Sequence, residues 1–188
     1  MEYKKIEFSH SGEYITLQAE GWASVLQINW GAKTPLASNE VGSVTVANKF
    51  NCGVPLIQCE MSHDDAYWAS QSKFKPATII IWDFNGIRNG PRGDMSGFKS
   101  FQLKHDEPVT MFSMRKSKNL TRSGRIPNII ASFERSGIIK IWCENSLKDN
   151  FTFFLAYTHR TELGPMCSLG HNRSGLSTNQ LASEVIFL

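Results

Sequence analysis

The sequence lacks several features that would assign it to common functional classes. No apolar run approaches the roughly 18 residues that a membrane-spanning helix needs. Residues 1–6 do not include the apolar core of a secretory signal. The four cysteines are far apart in a chain of 188 residues, which argues against a disulfide framework. We therefore expect an intracellular protein, cytoplasmic or nuclear, that has no membrane partner.

Charge and catalytic motifs are also sparse. The net charge of +3 is too small to indicate a dedicated nucleic-acid-binding protein. There is no Gly-x-Ser-x-Gly nucleophile motif. Residues 85–94 are rich in glycine and basic, but they lack the Gly-Lys-Ser/Thr ending of a phosphate-binding loop. We therefore predict that the protein is not an enzyme, has no catalytic residues and needs no cofactor.

A seven-residue turn recurs about every 53 residues. It reads Phe-Ser-His-Ser-Gly-Glu-Tyr at residues 8–14 and Met-Ser-His-Asp-Asp-Ala-Tyr at residues 61–67. In a third copy, entered by residues 109–114, an insert stretches the turn, and a degraded fourth copy begins at Leu169. A fixed period of this length is the signature of a repeat architecture.

Each repeat predicts a series of short strands. Apolar residues two apart precede the turn, which indicates a first strand with one buried face; they are Ile6 and Phe8, Cys59 and Met61, Phe112 and Met114, and Cys167 and Leu169. An Ala-Ser pair marks the second strand in three units and predicts close packing. β-Branched residues dominate the third strand, at residues 25–28, 78–83 and 138–142. Fainter fourth strands are predicted at residues 43–46, 98–103 and 151–155.

This pattern resembles the WD40 family of β-propellers. His105 lies where the Gly-His pair of that family falls, and residues 78–83 resemble its Trp-Asp ending. The family joins an Asp to His, Ser and Trp in a buried network, but here Ser136 or Pro76 replaces the Asp and Cys52 replaces one His. We therefore expect blades without the full network, which depend more on apolar packing and on their neighbours.

The resemblance implies an all-β fold, a partial β-propeller of four-stranded antiparallel blades. We predict one segment over residues 1–188, with blades at about 1–50, 51–104 and 105–160 and a partial blade at 161–188. Propellers close with roughly four to eight blades, so we expect an incomplete ring. The chain would then be a fragment or truncated product of a longer propeller, or another copy or another chain would complete it.

A metal site is the first alternative that the cysteines and histidines suggest. Cys59 and His63 share their spacing with Cys167 and His171. The repeat already explains this spacing, because each cysteine falls on a first strand and each histidine in a turn. Since zinc requires about four ligands brought together, we predict no metal site.

Two basic segments are the candidate binding sites. Residues 115–125 insert into the turn of the third unit and include five basic residues and no acidic ones. Loops on a rigid scaffold often carry function, so the sequence favours a non-catalytic protein–protein interaction scaffold, a subunit of an intracellular complex. The alternative is an RNA- or chromatin-associated factor whose loop 115–125 binds phosphates, or a binder of phosphopeptides. The candidate partner-binding residues are Arg115, Lys116, Lys118, Arg122, Arg125, Arg88 and Arg92.

Overall fold

The structure is a computed structural model that describes residues 3–29, 43–94, 97–115, 127–145 and 151–161. The strands and the helix, in chain order, are β1 (Tyr3–Phe8), β2 (Tyr14–Ala19), β3 (Trp22–Asn29), β4 (Ser43–Asn51), β5 (Leu56–Met61), β6 (Tyr67–Ser72), β7 (Thr78–Asp83), α1 (Phe84–Asn89), β8 (Gly93–Asp94), β9 (Ser100–Lys104), β10 (Val109–Met114), β11 (Ile129–Glu134), β12 (Ile138–Glu144) and β13 (Phe153–Arg160). No helix of the described part is long and apolar enough to cross a bilayer.

The strands form three sheets, each with a set of four antiparallel strands. Blade 1 has the order β1-β2-β3-β4, blade 2 the order β5-β6-β7-β9 and blade 3 the order β10-β11-β12-β13. The prediction of four-stranded antiparallel blades is confirmed, and the described blades do not close into a ring. The predicted fourth unit, residues 161–188, falls almost wholly outside the described residues.

The blades repeat each other in detail. The first strand of every blade has a register irregularity near its start, following Tyr3, Leu56 and Val109. These three residues are 53 apart, the period of the sequence repeat. Pro55 and Pro108 directly precede β5 and β10, where a missing N–H removes no sheet hydrogen bond.

Apolar side chains between neighbouring blades form two cores. The first contains Val25 and Phe50 of blade 1 with Met61 and Trp68 of blade 2. The second contains residues of blades 2 and 3, namely Ala69, Ile79, Ile81, Leu103, Val109, Phe112, Met114, Ile130, Trp142 and Phe153. Blade 2 is therefore buried on both faces, which is why every residue of β6 after Tyr67 is buried. The predicted close packing of the Ala-Ser pair is also confirmed, since Ala69 is 0% and Ser70 3% exposed.

The outer face of blade 1 differs from the sequence expectation. Ile6 and Phe8 were expected to be buried, but they are 62% and 58% exposed. Met61 and Met114, which are equivalent to Phe8 in the other blades, are each 1% exposed. A propeller blade buries the face of its first strand against the preceding blade. No described strand precedes β1, so the alternation correctly marks the apolar face but not its burial.

The connection between β7 and β9 begins with a helix, although its glycine and asparagine content is typical of a loop. This helix is α1, whose N-cap Asp83 accepts a hydrogen bond from the Asn85 N–H. Phe84 and Ile87 of this helix are buried in the first core. β8 then adds a two-residue parallel strand to the outer edge of β4. The connection therefore joins blade 2 to blade 1.

Gly90 and Asn48 allow α1 to pack closely between blades 1 and 2. A Cβ on Gly90, at the end of α1, would lie 2.5 Å from both the Gly86 carbonyl oxygen and the Phe98 ring. The Asn48 side chain of β4 donates to the Ile87 carbonyl oxygen at 2.5 Å. Together these contacts place the helix between the two blades.

We expect Ile87→Ala to lower the free energy of unfolding by about 2–5 kcal/mol, because it leaves a cavity in the first core. Ile57→Ala is the matched control, since Ile57 is 54% exposed whereas Ile87 is 0% exposed, and its cost should stay below about 1 kcal/mol. Urea unfolding of both variants measures the difference. Equal costs would show that α1 does not contribute to the core.

Candidate interaction surface

Three of the candidate partner-binding residues, Arg88, Arg92 and Arg115, are described, and they lie at opposite ends of the stack of blades. Arg88, on α1, places its guanidinium 5.1 Å from the centre of the Tyr14 ring of blade 1 and donates from Nε to the Asn85 side chain. Arg92 reaches the Val46 carbonyl oxygen of blade 1 at 3.4 Å. Arg115, by contrast, follows β10 in blade 3, and its backbone N–H donates to the Ile129 carbonyl oxygen. The structure therefore brings Arg88 and Arg92 to the same blade but does not bring Arg115 to them.

The other candidate residues of the basic insert are outside the described residues: Lys116, Lys118, Arg122 and Arg125. Their role in partner binding stays a prediction.

The turn between β6 and β7 presents an aromatic side chain that the sequence reasoning did not single out. Phe74 is 67% exposed, the highest exposure among the large apolar residues of the described chain. Its backbone N–H donates to the Ser72 hydroxyl at 3.1 Å, and the Lys73 N–H donates to the Pro55 carbonyl oxygen at 2.9 Å. The turn closes with a bond from the Thr78 N–H to the Lys75 carbonyl oxygen at 3.0 Å.

This turn is longer than its equivalents in the other blades. β2 and β3 are joined by two residues that include Gly21, and β11 and β12 by three residues that include Gly137. Both glycines have positive φ, as tight turns between strands require. Blade 2 instead uses the five residues 73–77, which place Phe74 between two exposed lysines, Lys73 and Lys75. The additional residues therefore form a fixed aromatic projection with a positively charged border.

Blade 3 contains a buried polar network. His105 Nε2 lies 2.7 Å from the Ser132 hydroxyl, which also accepts from Trp142 Nε1 at 3.1 Å. Blade 2 keeps only the bond from Trp82 Nε1 to the Ser70 hydroxyl, at 2.8 Å, because Cys52 takes the place of the histidine. The expectation of incomplete networks thus agrees with the geometry of both blades.

Ion pairs lie beside this network in blade 3. Lys140 Nζ is 2.7 Å from Glu134, which is fully buried, and 2.8 Å from Asp106, which is exposed. Burial alone would lower the pKa of Lys140, but its hydrogen bonds to the two carboxylates raise the pKa above its ordinary value. The same lysine lowers the pKa of Asp106. Burial is also the main cause that lowers the pKa of His105, so its neutral form predominates.

Among the described cysteines, Cys52 and Cys59 do not have the properties of nucleophiles. Burial raises the pKa of Cys52 to about 12 and that of Cys59 well above its ordinary value. A catalytic cysteine requires the opposite shift and an accessible sulfur, whereas Cys59 is 2% exposed. No cluster of three or more potential metal ligands occurs among the described residues.

Similarity to known proteins is found by comparing structures and not by comparing sequences. No family model and no curated protein sequence matches the chain. Among solved structures, the chain is similar to the Myceliophteria thermophila Cps50 (Swd1) β-propeller domain, with a TM-score of 0.53 and 13% identity over 76% of this chain and 41% of that one. This chain has the fold of a partial β-propeller with WD40-like four-stranded blades.

Two further matches to this WD40-like propeller are weaker. They are Kluyveromyces lactis Hsv2p, with a TM-score of 0.48 and 12% identity over 86% of this chain and 48% of that one, and a chain of a mitotic checkpoint complex, with a TM-score of 0.44 and 15% identity over 85% and 38%. The chain spans less than half the length of each of these proteins.

The sequence of the WD40-like propeller contains a signal that could have identified Phe74. Lys73, Phe74, Lys75 and Pro76 are consecutive and fall between two predicted strands. An aromatic residue between two lysines in such a connection has no sheet face on which to be buried. The hydrogen bonds that fix it depend on Ser72 and Pro55, whose positions only the folded chain defines.

Acidification should destabilise the propeller through His105. The unfolded histidine takes up a proton near its ordinary pKa of 6.5, whereas the folded pKa is lower. In that window the unfolded state binds more protons, so the free energy of unfolding falls as the pH drops below about 6.5. In urea titrations between pH 7.5 and pH 5, the free energy of unfolding should fall less for His105→Gln than for the unsubstituted chain.

His159→Gln provides the control for this pH profile, since His159 lies on an exposed strand, β13. Comparison of the two variants separates the loss of any histidine from the loss of the buried one. If His105→Gln left the pH dependence unchanged, the low pKa of His105 would not contribute to stability.

Proposed function

We propose that the protein is a non-catalytic protein–protein interaction scaffold, a propeller subunit of an intracellular complex, and that the Phe74 turn is one of its contact points. Its blades present turns of different length and chemistry from a stack of packed sheets. Such an arrangement offers a partner a fixed surface, which lowers the entropy lost on binding.

The exposure of Phe74 is the observation that supports this proposal. A large aromatic side chain in water does not stabilise its own fold, whereas its burial at an interface would remove apolar area from water. Interfaces obtain most of their binding energy from a few such residues, with aromatic ones enriched. Because its backbone is fixed before binding, Phe74 would enter a pocket with little further ordering.

The charges around Phe74 specify the partner further. Lys73 and Lys75 are exposed on either side of the ring. A partner with an apolar pocket bordered by Asp or Glu would therefore match both the shape and the charge of the turn. The apolar contact would supply most of the affinity, and the lysines would contribute to the rate of association.

The basic insert 115–125 supports the alternative, direct binding of nucleic-acid phosphates. Salt distinguishes the two because phosphate contacts weaken steeply as salt rises. The contact of Phe74 depends mainly on apolar burial, which salt does not screen.

We expect Phe74→Ser to reduce recovery of specific partner proteins at least about tenfold when the tagged chain is isolated from its cells of origin. The matched control is Phe154→Ser, which makes the same change at a residue that is 51% exposed on blade 3. Quantitative mass spectrometry of nuclease-treated samples, at low and high salt, measures the recovery. Partners that resist both treatments and are lost only with Phe74→Ser would support the proposal.

A different pattern of recovery would indicate nucleic-acid binding. If every associated protein disappeared after nuclease treatment, and if neutralising the five basic residues of the insert abolished recovery while Phe74→Ser did not, the protein would be a nucleic-acid-associated factor. Urea unfolding of each variant verifies that the fold is retained.

A further inference from the structure

The first strands of neighbouring blades are joined by a repeated set of hydrogen bonds, here called edge bonds. In the first interface, the Met61 N–H donates to the Glu7 carboxylate at 3.0 Å, and the Lys5 ammonium donates to the Cys59 carbonyl oxygen. A third bond comes from the second strand, where the Gln18 side chain donates to the Leu56 carbonyl oxygen at 2.8 Å. Side chains of blade 1 thus bind main-chain groups of blade 2.

The second interface repeats these bonds 53 residues later. The Met114 N–H donates to the Glu60 carboxylate at 2.7 Å, and Gln58 exchanges two hydrogen bonds with the main chain of Phe112. Gln71 donates to the Val109 carbonyl oxygen at 2.7 Å. Each residue that forms these bonds therefore lies 53 positions after its counterpart in the first interface.

The later units do not have these side chains. Met111 and Ser113 take the places of Gln58 and Glu60, and Phe133 follows the Ala-Ser pair of blade 3 as Gln71 follows that of blade 2. In the fourth unit the sequence again has Met166 and Ser168 at the first two positions. A methionine cannot form these bonds, and a serine is too short to replace the glutamate.

The first strand of blade 1 has the same main-chain groups that form edge bonds in blade 2. Phe8 pairs with Ile15 as Met61 pairs with Trp68. The Phe8 N–H is therefore equivalent to the Met61 N–H, which donates an edge bond, and the Ile6 carbonyl oxygen is equivalent to that of Cys59, which accepts one. The edge bonds of the first interface run from side chains of blade 1 to main-chain groups of blade 2, and none of them reaches either group. The adjacent face is apolar and exposed, with Val44 at 55% and Val46 at 49%.

We propose that this edge and face of blade 1 bind a propeller blade from outside the 188 residues, whose first strand has Glu and, two residues before it, Gln or Lys. Such a blade would place its carboxylate on the Phe8 N–H and its amide or ammonium on the Ile6 carbonyl oxygen. Its apolar face would cover Ile6, Phe8, Val44 and Val46. A second copy of this chain is not that partner, because its blade 3 has neither of the two polar side chains.

Introducing the missing pair into blade 3 tests this proposal with the full chain. A labelled donor copy has Met111→Gln and Ser113→Glu, together with Phe8→Pro so that it cannot bind itself. Unsubstituted chain is the acceptor, and sedimentation velocity measures their association. We expect the donor to bind at least about tenfold more tightly than a labelled donor that has Phe8→Pro alone.

Matched variants identify the bonds involved. On the donor, Met111→Asn and Ser113→Asp keep the chemistry but shorten both side chains, so the gain in affinity should disappear. On the acceptor, Phe8→Pro removes the N–H whereas Phe8→Ala removes only the ring, so Phe8→Pro should abolish the gain and Phe8→Ala should retain part of it. Far-ultraviolet circular dichroism and urea unfolding verify that every variant is folded.

Three results would overturn the proposal. They are equal binding by the donors with and without the introduced pair, equal binding by the Phe8→Pro and Phe8→Ala acceptors, and head-to-tail association of the unsubstituted chain with itself. None of these results depends on the partner of Phe74, so the proposed scaffold function is tested separately.

Discussion

The packing of one sheet face against the next is the constraint on which this structure depends. Blade 2 buries Met61 and Trp68 against blade 1, and Ile79 and Ile81 against blade 3. A single four-stranded sheet cannot bury two apolar faces by itself, so each blade requires neighbours. The described chain therefore stabilises its middle blade and leaves apolar side chains of its first blade exposed.

Hydrogen bonds then define how the blades are aligned. Apolar contacts between sheets are not directional, so they alone would permit the blades to slide or rotate. The edge bonds of Glu7 and Glu60 are directional, and they join equivalent positions of successive first strands. The helix α1 adds a further connection between blades 1 and 2 through Ile87 and Asn48. This alignment gives turns such as that of Phe74 defined positions, as the proposed scaffold function requires.

Much of the fold was predictable because it depends on local patterns. Strand alternation and the period of 53 residues predicted the first three strands of each described blade. Composition did not predict the helix α1 at residues 84–89. Their glycine and asparagine content is typical of a loop, but burial of Phe84 and Ile87 against two blades overrides that local preference.

The sequence by itself determined the all-β class, the repeat and the side chains that belong to the apolar faces, because these properties follow from periodicity along one strand. Only the tertiary structure decided which of those faces are buried. Phe8 and Met61 occupy the same position of the repeat, yet one is exposed and the other is not. Burial depends on the neighbouring sheet, and hydrogen bonds such as that from Phe74 to Ser72 depend on where the turn is closed.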